Sequence, residues 1–227
     1  MKHGKNYRAS VEKIDRTKFY SLDEALALVK DAAFAKFDET VEVHVKLTLK
    51  KSQSVRDTVV LPNQFSAQKR VLVFAKGEKA DEARAAGATF VGDDDLIEQI
   101  RKGWMDFDVA VATPDMMKDV GRLGPILGRR GLMPNPKTQT VTMDIKGALE
   151  ELMKGRVEFR SDKSGVVHLA VGKVSMEPAK VSENVLAVVQ EVVRKKPADA
   201  KGDYLVSVTV ASTMGPGVRV DVRDFAL

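Results

Sequence analysis

From Val41 to Leu49 the apolar residues Val41, Val43, Val45, Leu47 and Leu49 alternate with Glu42, His44, Lys46 and Thr48. A period of two sends successive side chains to opposite faces, so this segment predicts a strand with one buried and one wet face. The alternation returns at Val206, Val208 and Val210, and again at Val218, Val220 and Val222. One-sided strands belong to an antiparallel or mixed sheet covered by helices on one face. Two helices suit that role. Ser21-Leu22-Asp23-Glu24 is a capping box, in which the serine hydroxyl accepts from the third helical amide and the glutamate reaches back; Leu26, Val29 and Lys30 follow it. Pro178 opens a second helix running to about Lys196, with Val181, Val185, Val188, Val189 and Val192 on one face and Pro197 after its end.

The middle of the chain has a different rhythm. Val71 to Ala75 and Val109 to Ala112 are short continuous apolar runs, Thr89-Phe90-Val91 is a third, and helical stretches at Lys79–Ala86 and Asp94–Lys102 lie between them. Strand and helix alternating with both sheet faces buried is the pattern of a small parallel α/β domain. The two ends then fold together and the middle is inserted, with crossings expected at Ser66 to Lys69 and at Gly155 to Arg156. Two crossing strands would act as a hinge. The expected domains are residues 1–66 with 156–227, and residues 67–155.

Charge sharpens this division. The 227 residues carry a net charge of +5, of which +3 falls on residues 1–66, +2 on residues 156–227 and none on residues 67–155. The split domain is therefore the better partner for a polyanion. The chain has no cysteine, which excludes disulfides and thiolate chemistry and suits a reducing compartment. The basic N-terminus Met1 to Arg8 is followed by no apolar run, and no stretch of 18 apolar residues occurs, so neither secretion nor a membrane partner is expected.

Candidate chemistry is sparse. His3, His44 and His168 are far apart in sequence and lack ligand spacing, so no metal is expected. Asp93-Asp94-Asp95 is explained by the positive end of a helix rather than by a cation site. Gly121 to Gly131, rich in glycine and arginine, lacks the lysine and hydroxyl of a phosphate loop; it is either a packed structural loop or an RNA-phosphate contact. Lys36-Phe37-Asp38-Glu39-Thr40 sets a cation and an aromatic before the first alternating strand, where Phe37 either stacks on a base or simply enters the strand. Ser212 to Gly217 and Arg160 to Gly165 are polar turns with the same two readings. Met116-Met117 is core packing or, less simply, an adaptable protein-binding surface. A nucleotide enzyme built on the middle domain lacks both phosphate lysine and catalytic cluster.

Taken in order, these segments resemble the bacterial ribosomal protein family of the large-subunit lateral stalk, the first in the large-subunit numbering. The resemblance runs through Lys36 to Glu42, Val60-Leu61-Pro62, Ala75-Lys76-Gly77, Gly103 to Asp108, Leu127 to Lys137, Gly155 to Arg160 and Ser212 to Pro216. It implies a fold of α+β and α/β class: a split α+β two-layer outer domain with an inserted Rossmann-like three-layer α/β domain that has no nucleotide site. It implies no enzyme activity and no cofactor, but a cytoplasmic constituent of the large ribosomal subunit, monomeric when free, that binds the 23S rRNA stalk. It further implies a role in moving and releasing deacylated E-site tRNA, and repression of its own mRNA through mimicry of the ribosomal site. The RNA-facing residues it carries over are Lys36, Phe37, Glu39 and Thr40; Arg160, Asp162, Lys163 and His168; Thr213, Met214 and Gly215; and, more weakly, Ser175 and Ser212. Thr48 to Ser54 and Asn63 to Ser66 depart from the family pattern, and Arg129-Arg130 replaces a pair containing proline.

Overall fold

The structure, a computed structural model, describes residues 4–50, 53–65, 69–197 and 202–225. His3, Lys51, Ser52 and Ser66, where the first crossing is expected to begin, lie outside the described residues. The first segment forms α1 (Lys5–Glu12), α2 (Leu22–Ala32), β1 (Thr40–Leu47) and β2 (Arg56–Val60). The middle forms β3 (Val71–Phe74), α3 (Glu78–Ala85), β4 (Phe90–Gly92), α4 (Asp94–Arg101), β5 (Val109–Ala112), the short turns α5 (Met117–Val120) and α6 (Gly124–Leu127), and α7 (Ile145–Met153). The last segment forms β6 (Arg156–Arg160), β7 (Val166–Lys173), α8 (Pro178–Arg194), β8 (Leu205–Ser212) and β9 (Val218–Val220). The fold is mixed α+β, and it divides into two compact units, Met1–Phe65 with Val157–Leu227 and Ser66–Arg156.

In the first unit the sheet order is β7-β1-β8-β9, with every neighbouring pair antiparallel. Val41, Val43, Val45 and Leu47 are buried while Glu42, His44 and Lys46 are half-exposed, so the alternation read from the sequence is the alternation of the sheet. On the buried face lie Leu26 and Val29 of α2 and the valines Val181, Val185, Val188, Val189 and Val192 of α8, in one core with the strands. Each such side chain removed from water contributes about 1.5–3 kcal/mol before the entropy of ordering is subtracted. The capping box at Ser21 and Glu24 is formed as drawn from the sequence. Gly172 of β7 is required by the approach of α8, because a Cβ there would sit 2.9 Å from Val181 Cγ2. Deep in this contact Asn184 is fully buried; its amide donates to Val171 O and Asn63 O, and its Oδ1 accepts from Asn63 N. One alternation is cut short: Val222 begins a 3-10 turn, and β9 ends at Val220. Strands β2 and β6 form a separate two-stranded sheet, and just beyond its end Ser161 Oγ accepts from Val55 N while Ser161 N donates to Val55 O.

The second unit has a parallel sheet in the order β4-β3-β5. Val71, Val73 and Val111 pack with α3 and α7 on one face; Leu72, Phe74, Ala110 and Ala112 pack with α4 and the turns from Met116 to Leu127 on the other. The continuous apolar runs thus have both faces buried, which is why they lack alternation. Asp94 and Asp95 occupy the first turn of α4, against the positive end of its dipole. Gly121 to Gly131, expected to be a packed structural loop or an RNA-phosphate contact, winds through consecutive α and 3-10 turns up to Arg130 and stops at Gly131, whose φ is +71°. Burial of Met116, Val120, Leu123 and Leu127 at helical spacing outweighs the poor helix propensity of its glycines.

Candidate nucleic-acid interface

The segment between α2 and β1 is organised by Glu39, which is buried to 2% exposure. Its Oε1 accepts from the amides of Phe34 (3.1 Å) and Ala35 (2.9 Å), and its Oε2 accepts from the amide of Met214 (2.9 Å). Burial alone would raise its pKa, but these three amides outweigh burial and hold the carboxyl below the ordinary range. Glu39 therefore stays ionised and ties two loops that lie 175 residues apart in sequence. A second tie runs alongside it: Thr213 Oγ1 accepts from Thr40 N at 2.9 Å and donates to Thr40 O at 3.3 Å. A third joins Asp38 to the N–H and hydroxyl of Ser175 at 3.1 and 2.7 Å.

These ties leave an outward surface. Lys36 is exposed, and Phe37 and Met214 present 56% and 50% of their area to solvent, high values for large apolar residues. Gly215 lies so close to Ser212 Oγ that a Cβ there would come within 2.4 Å of it. The Ser212 hydroxyl is near enough to Glu39 to favour the carboxylate, yet its geometry falls short of a formed bond, which leaves a buried Oγ without a partner among the described residues. Nine residues expected at the site thus meet at one end of the sheet: Lys36, Phe37, Glu39, Thr40, Ser175, Ser212, Thr213, Met214 and Gly215. Their roles divide. Glu39, Thr40 and Thr213 hold the backbone, while Lys36, Phe37 and Met214 face outward.

Arg160, Asp162 and Lys163 gather at the other end of the β1–β7 pair, about 20 Å away by strand rise from Thr40 to Lys46, and His168, two residues inside β7, reaches within 3.9 Å of Asp162. Asp162 Oδ1 accepts from the amides of Val166 and Ser164, both at 2.8 Å, and these bonds hold its pKa below the usual value. It shapes the turn; Arg160, Lys163 and Ser164 are exposed around it, and Lys46 Nζ donates to Ser164 O. Gly165 closes the turn at φ +76°, with Leu47 N donating to its carbonyl.

Between the two ends runs the polar face of the sheet. Cross-strand register places His168, His44, Thr209 and Arg219 in one row over four strands. His44 Nδ1 and His168 Nδ1 are 2.8 Å apart, and the rings meet edge-on with centroids 5.0 Å apart. Burial and then the neighbouring His168 lower the pKa of His44, against the pull of Glu42. The sequence alone does not pair these histidines, 124 residues apart; the pairing is a product of register. Lys46, Thr209 and Arg219 also join this face, and the only sequence signal for them is the polar phase of each alternation. Among the described residues no group of three or more histidine, cysteine or acidic side chains could hold a metal ion.

Cations, an exposed aromatic and half-buried hydrogen-bonding groups spread over a rigid sheet are the elements that grip a folded RNA: phosphate contacts for affinity, stacking and 2′-hydroxyl contacts for selectivity. Residues 29–216, which contain both ends of this surface, match the Ribosomal protein L1p/L10e family. The chain belongs to that family. It is 63% identical to the large ribosomal subunit protein uL1 of Treponema denticola over 98% of this chain and 99% of that protein. It is 58% identical to uL1 of Borrelia garinii subsp. bavariensis over 97% of each chain, and 59% identical to uL1 of Borreliella burgdorferi strain B31 over the same shares. L1p/L10e proteins are structural RNA-binding proteins and not enzymes. No described helix is long and apolar enough to cross a membrane.

Proposed function

We propose that this chain is the large-subunit protein that binds the stalk of 23S rRNA, and that it does so through its first unit. The Glu39 junction is the observation that carries this reading. It fixes Phe37 and Met214 as exposed apolar side chains beside Lys36 and beside a close-packed glycine turn, a combination with little purpose in a solvated loop. A base stacks on Phe37 or packs against Met214, and Lys36 meets a phosphate, while the buried Ser212 supports the turn from within. Arg160, Lys163 and His168 hold a second stretch of the same RNA at the far end of the sheet. In this reading the first unit is the split two-layer outer domain, and the second is an inserted Rossmann-like three-layer domain without a nucleotide site. The bound stalk moves deacylated tRNA out of the E site. When ribosomal sites are filled, the free monomer in the cytoplasm binds its own mRNA, whose fold mimics the stalk, and represses it.

The test is binding of a stalk rRNA fragment. Phe37→Ala and Met214→Ala should each weaken binding by about 1–3 kcal/mol, the scale of one stacking contact. If the double variant folds and binds as tightly as wild type, the site assignment is wrong.

A further inference from the structure

The second unit is neutral overall, but its charges are unevenly distributed along the sequence. Residues 75–108 carry nine acidic and five basic side chains, whereas residues 120–143 carry Arg122, Arg129, Arg130 and Lys137 and no acid. Arg122, Arg129 and Arg130 sit on the run of turns from Met117 to Arg130, whose inner side is the buried row Met116, Val120, Leu123 and Leu127. Lys118, Arg122 and Arg129 follow at spacings of four and seven, so they share the outer side, with Arg130 next to them. All four are exposed. Arg122 has only a long 3.8 Å contact to Asp119, with 63% of its side chain exposed, and Arg129 and Arg130 make no ion pair among the described residues.

Between these cations lie Gly121 and Gly128, and the fold does not need them to be glycine. Their φ values, −55° and −64°, are ordinary right-handed helix, and a Cβ at either would meet nothing within 4 Å. In such a position alanine favours the helix and glycine disfavours it. A cationic outer side on which Gly121 and Gly128 carry no Cβ suits a sugar-phosphate backbone, since arginine forks onto phosphate oxygens while the partner comes close to the main chain at the two glycines. We infer that the outer side of Lys118–Arg130 is a second RNA-binding surface, which takes the phosphate backbone of a double-stranded RNA separate from the one held by the first unit. The contact reads shape and charge, not sequence.

The full chain tests this by fluorescence anisotropy with a labelled 20-base-pair RNA duplex unrelated in sequence to the stalk, across a salt series. The R122Q/R129Q/R130Q variant should bind the duplex roughly tenfold or more weakly, with its salt slope lowered by about 2–3, one per lost phosphate contact. The same variant should bind the stalk fragment as wild type does, while the Phe37→Ala/Met214→Ala variant should lose the stalk fragment and keep the duplex. A failure here is thereby separated from a failure of the first site. The G121A/G128A variant should melt at the wild-type temperature or above and still bind the duplex several-fold less tightly, a combination that damage to the fold cannot give. Wild-type duplex affinity and slope in the triple arginine variant would overturn the inference, as would a wild-type chain that ignores the duplex at low salt.

Discussion

Glu39→Gln removes one oxygen's charge and almost no volume, and so isolates what the carboxylate does. Three backbone amides donate to it. The glutamine carbonyl can still accept from Phe34 and Ala35, as a neutral acceptor, but its NH2 then faces the amide of Met214, donor against donor. Losing one charge-assisted bond costs about 1.5–3 kcal/mol. With the other two bonds weakened, the first unit should lose about 2–4 kcal/mol in all. The chain supplies its own probes: Tyr7, Tyr20 and Tyr204 lie in the first unit and the single tryptophan, Trp104, in the second. In a urea titration the tyrosine near-ultraviolet circular dichroism should shift to lower denaturant, while the Trp104 fluorescence transition serves as internal control. The pH dependence adds a sign. Because Glu39 has a depressed pKa in the fold, its contribution is complete above the ordinary carboxylate value of about 4.3 and fades as pH falls through the folded value. The gap between wild type and variant should be constant near neutrality and close in acid. Equal tyrosine transitions at pH 7, or a gap that does not change in acid, would refute the clamp.

Asn184→Leu leaves Val171 O and both backbone groups of Asn63 without their partner; the first unit should lose about 2–4 kcal/mol by denaturant titration, less if water reaches Asn63. Gly165→Ala combines a left-handed φ with a Cβ 2.9 Å from Leu47 O, and should destabilise by about 2–3 kcal/mol, measured as a lowered melting temperature. For His44, whose pKa is lowered chiefly by burial, the contribution to stability is complete above the ordinary histidine value of about 6.5 and is lost as pH falls through the folded value. A proton NMR titration should place its midpoint below 6.5, and His168→Ala should raise that midpoint; an unmoved midpoint contradicts the pairing.

The elements that sequence periodicity reveals are those whose cause is local. Val41 to Leu47 alternates because each residue faces water or core within its own strand, and the Ser21–Glu24 box and the valine face of α8 need only a few neighbouring residues to be recognised. Interactions set by long-range register are hidden. Nothing near His44 announces His168, and nothing near Glu39 announces the Met214 amide, so a residue expected to touch RNA proves to have its carboxylate taken up by the backbone. The hydroxyl of Thr213 is likewise engaged, on Thr40. The Gly121–Gly131 segment misleads for another reason: glycine and proline signal a loop, whereas Leu123 and Leu127 are pulled into the core at helical spacing. The periodic segments singled out in the sequence also leave out helices α1 and α7, although α7 supplies Ile145, Leu149 and Leu152 to a core. A zero net charge on the middle segment conceals a surface that is acidic on one stretch and basic on another.

The most direct measurement is a methyl NMR spectrum of the full chain, labelled at its nine methionines, with and without a stalk rRNA fragment. Met214 should shift or broaden at stoichiometric RNA, while the core methyl of Met116 in the second unit stays in place. A complex that forms with the Met214 methyl unperturbed would mean that the RNA is held somewhere other than the junction built on Glu39.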